Sequence, residues 1–249
     1  MRILISPAKK MNVDTDSLPW TALPFFLSES ALLLSIMKNM SAADLKRLWN
    51  CNDKIAAQNI ERLKHMELTE KLTPAILAYE GIQYQYMAPG VFTDQELDYV
   101  QRHLRILSGF YGVLKPFDGV TPYRLEMQAK LSVGCSKNLY EFWGDRLARL
   151  LLLETNCVVN LASKEYSTSV SKHLPRDVQF ITCVFGQELD GKVVEKGTLC
   201  KMARGEMVRY MAEHQVDEIN QLKGFDRMGY SFRDDLSDEQ TFVFIQGTR

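Results

Sequence analysis

The chain opens with RILISPAKKM (Arg2–Met11), in which a short apolar run ends at Ser6-Pro7 and two lysines follow, Lys9 and Lys10. A continuous apolar run of this length is typical of a buried β-strand. The residue before a proline is held extended and proline cannot donate to a sheet, so the strand is expected to end there. The stretch therefore predicts a core strand followed by a segment that directs Lys9 toward a polar site. Lys10 is expected to be a solvated neighbour.

The composition is that of a globular protein. The chain has 249 residues, of which 46% are hydrophobic and 24% are charged, which provides a sizeable core and argues against disorder. Proline and lysine interrupt the first apolar run too early for a signal peptide. No apolar stretch approaches the roughly 20 residues that cross a bilayer. We therefore expect a cytoplasmic protein with no membrane partner.

The five cysteines and four histidines are scattered along the chain, and no CxxC pair occurs. Zinc and redox sites need closely spaced ligands of these types. An odd number of cysteines in a chain without a secretory signal indicates reduced thiols. We expect no metal site, no cofactor and no disulfide.

Helix signals dominate the N-terminal part of the chain, from about residue 28 to residue 104. Ser41 and the Thr93 to Glu96 capping box mark two helix starts, Asp53 can cap a third helix, and Thr73-Pro74 resembles an N-cap followed by a proline at the first helical position. The predicted helices cover residues 28–38, 41–49, 53–66 and 93–104.

The rest of the chain mixes short strands with helices. The predicted strands lie within residues 105–127, at 157–163, and at 178–187 and 192–199, the last two joined by an Asp190-Gly191 hairpin turn; the predicted helices cover 138–154 and 201–214. An acidic turn at 233–240 is expected between two final strands. This mixture predicts one compact α+β (mixed α/β) domain over residues 1–249, with a mixed sheet and an N-terminal helical subregion, rather than a clean Rossmann alternation or a barrel.

Charge is unevenly distributed along the chain. The formal net charge is −1, but residues 102–149 hold eight basic and four acidic side chains, whereas residues 213–240 hold three and eight. DNA binding depends on local lysines and arginines, so a nearly neutral protein can bind phosphates through one face. A solvated surface is the simpler interpretation of most of these charges.

A short helical hairpin is predicted over residues 41–66, where two helices are joined by only a few residues. Such a hairpin can direct backbone N–H groups and basic side chains at a phosphate. Its candidate DNA-binding side chains are Lys46, Lys54 and Arg62. The connection contains no glycine, so the glycine-containing segment 105–114 is a rival position for this element.

Two further segments carry polar residues suited to a site. Ser6 and Lys9 formally match S-x-x-K, but Pro7 disfavours the helix that this pattern needs, so a Ser6 nucleophile is a weak hypothesis. In NLASKEY (160–166), Glu165 suits acid or base chemistry and Asn160 hydrogen-bond donation, with Ser163 capping a helix as the structural alternative.

The remaining candidates are paired charges. In YRLEM (123–127), Arg124 and Glu126 alternate onto one face of an extended segment and form either a surface ion pair or part of a cleft. In KMARG (201–205), Lys201 and Arg204 share a helix face by their i, i+3 spacing. A phosphate could bridge them, and a solvated helix face is the simpler alternative.

Several separated segments together resemble the YaaA family (UPF0246) of bacterial peroxide-stress proteins. The segments are ISPAKK, LRILSGFYGVLKPFD, PYRLEM, LYEFWGD, VVNLASKEY, KMARGEMVRY and LKGFDRMGYSF. The resemblance implies an unusual mixed α/β fold with a positively charged cleft and a helix-hairpin-helix, and a cytoplasmic protein that binds DNA during hydrogen peroxide stress, is associated with DNA repair and limits free intracellular iron. Where the family often has SPAKT, this chain has Lys10 in place of the threonine.

The resemblance assigns ten motif residues to the cleft. They are Lys9, Arg105, Arg124, Glu126, Asn160, Ser163, Glu165, Tyr166, Lys201 and Arg204. The leading hypothesis is binding of double-stranded or partly unpaired DNA, without strong sequence specificity, by the basic residues, Asn160, Ser163 and Tyr166 together with the hairpin. The alternative is an enzyme acting on a nucleic acid or nucleotide, with Lys9, Glu126 and Glu165 as catalytic candidates. The scattered cysteines and histidines argue against a dedicated iron site, and the sequence does not determine the oligomeric state.

Overall fold

The structure is a computed structural model that describes residues 1–247. Its strands are β1 (Arg2–Ile5), β2 (Lys10–Met11), β3 (Thr73–Pro74), β4 (Tyr79–Glu80), β5 (Leu104–Ser108), β6 (Gly112–Leu114), β7 (Gly119–Val120), β8 (Cys157–Leu161), β9 (Gln179–Leu189), β10 (Lys192–Val194), β11 (Tyr230–Phe232) and β12 (Thr241–Gln246). Its α-helices are α1 (Leu27–Lys38), α2 (Ala42–Trp49), α3 (Asp53–Lys64), α4 (Ala75–Ala78), α5 (Ile82–Met87), α6 (Asp94–His103), α7 (Leu139–Trp143), α8 (Arg146–Leu152), α9 (Lys164–Ser171) and α10 (Gly197–Glu213). Short 3₁₀ turns connect several of them.

The main sheet has eight strands, and the predicted first strand lies near its centre. The order is β11-β12-β9-β8-β1-β5-β6, with β10 paired to β9. The five strands from β12 to β5 are mutually parallel, while β11 and β6 are antiparallel to their neighbours. Ile3, Leu4 and Ile5 have no exposed surface, as expected when both faces of a parallel strand are covered. The prediction of a single compact mixed α/β domain is confirmed.

Several local predictions are confirmed. The Ser41 hydroxyl accepts a hydrogen bond from the Asp44 N–H, and Thr93 with Glu96 forms the predicted capping box. Asp190 and Gly191 both adopt positive φ at the β9–β10 turn, which matches the hairpin turn that this dipeptide favours. These features depend on contacts within a few residues of the chain.

Other local predictions are wrong. The predicted helix 138–154 is broken into α7 and α8 at Gly144, where φ is 51°. Thr73-Pro74 does not start a helix directly. It forms strand β3, because the folded chain brings β7 alongside it as an antiparallel partner. The predicted strand 192–199 ends at Val194, since α10 already begins at Gly197.

The helical pair predicted at 41–66 is present as α2 and α3, which pack against each other. Asn52, rather than the predicted Asp53, caps α3. The turn contains no glycine, and Asn50 takes the left-handed conformation there, with φ 43°, which asparagine tolerates better than most residues. The rival position at 105–114 is wrong, because those residues belong to the antiparallel β5–β6 hairpin.

None of the helices in residues 1–247 combines the length and apolar composition needed to span a membrane.

Candidate functional site

A cleft opens where the carboxyl ends of β1 and β8 meet. In the parallel part of the sheet, β5 lies on one side of β1, whereas the later strands β8, β9 and β12 are added on its other side. Open parallel sheets bind ligands at such a change of direction. The cavity here measures about 400 Å³, and we call it the switch-point cleft.

Most of the predicted site residues converge on this cleft. Those that line it are Lys9, Arg124, Glu126, Ser163, Glu165, Tyr166, Lys201 and Arg204. They come from the exit of β1, the extended segment 121–128, the start of α9 and the middle of α10. The clustering is a tertiary feature, because no two of these segments are neighbours in the sequence.

The other predicted site residues lie elsewhere. Arg105 is 3% exposed and pairs with Glu154 at 2.8 Å, and the buried Asn160 side chain bonds to Thr182 and to the backbone N–H of Ala162. Lys46 pairs with Asp53 at 2.6 Å. Lys54 and Arg62 lie on α3 and do not line the cleft.

Ser6 ties the exit of β1 to the start of α9. The Ser163 N–H donates to Ser6 Oγ at 2.8 Å, the two hydroxyl oxygens lie 3.2 Å apart, and the Tyr84 hydroxyl donates to the Ser6 carbonyl at 2.9 Å. Lys9 Nζ is instead 2.9 Å from Glu126. The Ser6 hydroxyl therefore serves the backbone of Ser163, and no Ser6–Lys9 dyad forms among the described residues.

The start of α9 faces the cleft without a side-chain cap. Ser163 is the N-cap residue, but its hydroxyl accepts no hydrogen bond from the first turn. The N-terminal N–H groups of a helix carry a partial positive charge and bind anions readily. The structural alternative for Ser163, that it caps this helix with its side chain, is not realised.

Arg124 is nearly buried and has only weak partners. Its side chain is 10% exposed and lies 3.7 Å from Glu126, and its Nη2 atom is 3.5 Å from the Trp49 carbonyl. Its buried Nε has no acceptor among the described residues. The backbone next to Arg124 packs directly against Gly109, which is possible because glycine has no side chain. A Cβ at residue 109 would lie 2.6 Å from the Leu125 carbonyl oxygen.

Arg204, which lines the cleft from α10, is held in a similar way. Its side chain is 15% exposed, its one carboxylate contact is Glu195 at 3.5 Å, and its buried Nε also lacks an acceptor within residues 1–247. Buried guanidinium groups normally make short, charge-assisted hydrogen bonds. Two arginines with spare donors in one cleft therefore indicate a site for an anion.

Glu165 brings a carboxyl group with a shifted pKa into the cleft. Burial raises the pKa of Glu165 above its ordinary value, and the nearby Glu126 charge raises it further. Opposing contributions come from the Gln128 N–H, which donates to Glu165 Oε1 at 3.2 Å, and from Lys9. A carboxyl group with a raised pKa is suited to carry a proton closer to neutral pH.

The sequence gives little sign of the tyrosines that support the floor of the cleft. The Tyr123 hydroxyl lies 2.9 Å from that of Tyr79 and 2.7 Å from Ser108 Oγ. Burial raises the pKa of Tyr123 to about 12, so this network stays neutral. The aromatic residues of SGFYG and PYRLEM are the only hint, and they read equally well as ordinary core.

A second cavity of about 650 Å³ adjoins the switch-point cleft. The two cavities share Lys9 and Glu126, and the second is bordered by Leu48 and Trp49 at the end of α2 and by Lys130. The α2–α3 pair therefore lies beside the cleft. Within residues 1–247, no group of three or more histidine, cysteine or acidic side chains is placed to hold a metal ion.

Comparisons with known proteins cover nearly the whole chain. A family profile described as peroxide stress protein YaaA matches residues 1–236. A UPF0246 protein of Agathobacter rectalis is 55% identical over 98% of this chain and 98% of its own length. UPF0246 proteins of Lachnoclostridium phytofermentans and Pediococcus pentosaceus are 53% and 54% identical, each over 99% of this chain and over 97% and 98% of their own lengths.

Proposed function

Because the chain belongs to the peroxide stress protein YaaA family, we propose that it is a DNA-binding protein of the bacterial hydrogen peroxide response. The switch-point cleft binds DNA phosphates without strong sequence preference. The observation that carries the proposal is the pair of nearly buried arginines, Arg124 and Arg204, whose partners are all 3.5 Å or more away. The proposal includes a link to DNA repair and to the limiting of free iron.

The α2–α3 pair would extend the phosphate-binding surface as a helix-hairpin-helix. Trp49 at the end of α2 contacts Arg124, so the pair adjoins the cleft wall. Lys54 on α3 is exposed, and no carboxylate lies within ion-pair distance of it in the described part of the chain. Phosphate contacts of this kind position DNA without reading its sequence.

The binding test is a fluorescence-anisotropy titration of duplex DNA with 5′-hydroxyl ends at increasing salt. We expect log K to fall linearly with log salt, by about 0.9 for each phosphate neutralised. Lys201→Gln should reduce that slope by about 0.9, because Lys201 lines the cleft. The matched control is Lys172→Gln, an exposed lysine at the opposite end of α9, which should leave the slope unchanged. No binding at low salt, or binding that salt does not weaken, would contradict the proposal.

A second candidate function is catalysis on damaged DNA, favoured by the placement of Glu165 beside the Lys9–Glu126 ion pair. After passing a proton to Glu126, the Lys9 amine would attack the aldehyde carbon of an abasic deoxyribose. Glu165 would protonate the departing hydroxyl group, so that water leaves and an imine forms. The raised pKa of Glu165 suits that role.

Borohydride trapping tests this candidate. With abasic-site DNA, the wild-type protein should give a reduced covalent adduct that Lys9→Ala loses and Lys10→Ala keeps, since Lys10 pairs with Glu80 outside the proposed chemistry. If the wild-type protein gives no adduct, or if Lys9→Ala still gives one, Lys9 has no covalent role. Neither result would affect the binding proposal.

A further inference from the structure

We infer that the switch-point cleft takes a phosphate monoester carried by a nucleoside, either a free nucleoside monophosphate or the phosphorylated 5′ end of a DNA strand. This inference rests on the proposed function and narrows it, because an internal phosphodiester carries one charge whereas a monoester carries about two at neutral pH. Three features of the cleft favour the doubly charged group.

The first feature is the convergence of backbone and guanidinium donors. The uncapped start of α9 opens into the cleft at Ser163. Arg124 lines the same cleft, nine-tenths buried and with an unpartnered Nε. Within the described chain its Nη1 atom donates no hydrogen bond, which leaves this donor free for a ligand. A monoester has three terminal oxygens that can accept hydrogen bonds from several directions, whereas a diester has two.

The second feature is the charge balance. Two of the lining lysines are neutralised locally, Lys9 by Glu126 and Lys10 by Glu80. Three cations then remain in the lining, namely Arg124, Lys201 and Arg204, against the single carboxyl group of Glu165. The five basic and three acidic side chains of the lining therefore give a net charge of +2, and Glu195, outside the lining, lies 3.5 Å from Arg204. A net charge of this sign and size matches a dianion better than a diester monoanion.

The third feature is size. A cavity of about 400 Å³ lies in the range of small-ligand pockets, and it is suited to one phosphate with its sugar. The adjoining cavity of about 650 Å³ begins at the shared Lys9–Glu126 pair and is bordered by Leu48 and Trp49. Apolar and aromatic walls of this kind suit a nucleobase or the first unpaired nucleotides of a strand.

The test compares two single-stranded oligonucleotides that differ only in a 5′-phosphate or 5′-hydroxyl group and carry the same 3′ fluorophore. Charge-assisted hydrogen bonds to the terminal phosphate should make the phosphorylated strand bind at least about 10-fold more tightly. Arg124→Gln and, independently, Arg204→Gln should reduce this preference to less than about 2-fold. Arg149→Gln should keep it, because Arg149 is exposed on α8 and pairs with Asp145.

Competition separates the two sources of the monoester. Displacement of the phosphorylated strand by deoxyadenosine monophosphate, but not by deoxyadenosine, would assign the site to free nucleotides as well as strand ends. A preference that the monophosphate does not compete away would assign it to strand ends alone. Equal binding of the two strands, together with no displacement by inorganic phosphate, overturns the inference while leaving salt-dependent binding of 5′-hydroxyl duplex intact. Absence of binding by every probe overturns both proposals.

Discussion

Gly205→Ala is expected to destabilise the protein by about 3 kcal/mol, although alanine is the better helix former. Gly205 lies inside α10, where a Cβ would stand 2.2 Å from the Gln83 carbonyl oxygen and 2.9 Å from the Met87 backbone nitrogen. Both atoms belong to the backbone of α5, so the clash cannot be relieved by a side-chain rotation. The two helices would have to move apart.

The same change should weaken DNA binding, because α10 carries Lys201 and Arg204 into the cleft. Urea denaturation followed by circular dichroism measures the free energy of unfolding. The control is Gly197→Ala in the first turn of α10, where a Cβ meets nothing within 4 Å; it should lie within about 0.5 kcal/mol of wild type. A Gly205→Ala protein as stable as this control would show that α5 and α10 are not packed as described.

Glu154→Gln is expected to destabilise the protein by about 3 kcal/mol at neutral pH. Glu154 accepts hydrogen bonds from Arg105 at 2.8 Å and from Arg2 at 2.9 Å. The Arg105 side chain is 4% exposed, so removing the carboxylate leaves a buried charge without its counter-ion. The loss therefore reflects an uncompensated charge rather than the net strength of the pair.

The pH dependence of this loss follows from the pKa of Glu154. Burial alone would raise that pKa, but the hydrogen bonds from Arg105 and Arg2 outweigh burial and hold it below its ordinary value. The stabilisation is then fully present above the unfolded-state pKa of about 4.3 and is lost as pH falls through the folded-state pKa. Denaturation at several pH values should give a constant difference between Glu154→Gln and wild type down to about pH 5, and a smaller one below pH 4.

An exposed ion pair provides the control for Glu154. Asp145→Asn removes the partner of Arg149, which lies at 2.7 Å on the surface of α8, and should change the free energy of unfolding by less than about 0.5 kcal/mol. If Glu154→Gln behaved like Asp145→Asn, Arg105 would not depend on Glu154 for its burial.

Local signals account for the parts of the fold that the sequence predicts well. The Ser41 cap and the Thr93 capping box act over three or four residues, and the apolar run at Ile3 to Ile5 requires burial wherever it lies. The break at Gly144 and the pairing of Thr73 with Val120 could not be predicted from such local signals. Both depend on what the chain meets after it has folded back on itself.

Two arginines show most clearly what could not be predicted from the sequence. By itself the sequence determined the family, the central first strand and the basic segments, because residue type and spacing act locally. It could not separate Arg105 from Arg124, which carry the same charge 19 positions apart. The tertiary structure places Glu154 against Arg105 and leaves Arg124 nearly buried in the cleft with only distant partners. Whether a buried cation is structural or available to a ligand depends on its counter-ion, and that counter-ion is supplied by segments far away in the chain.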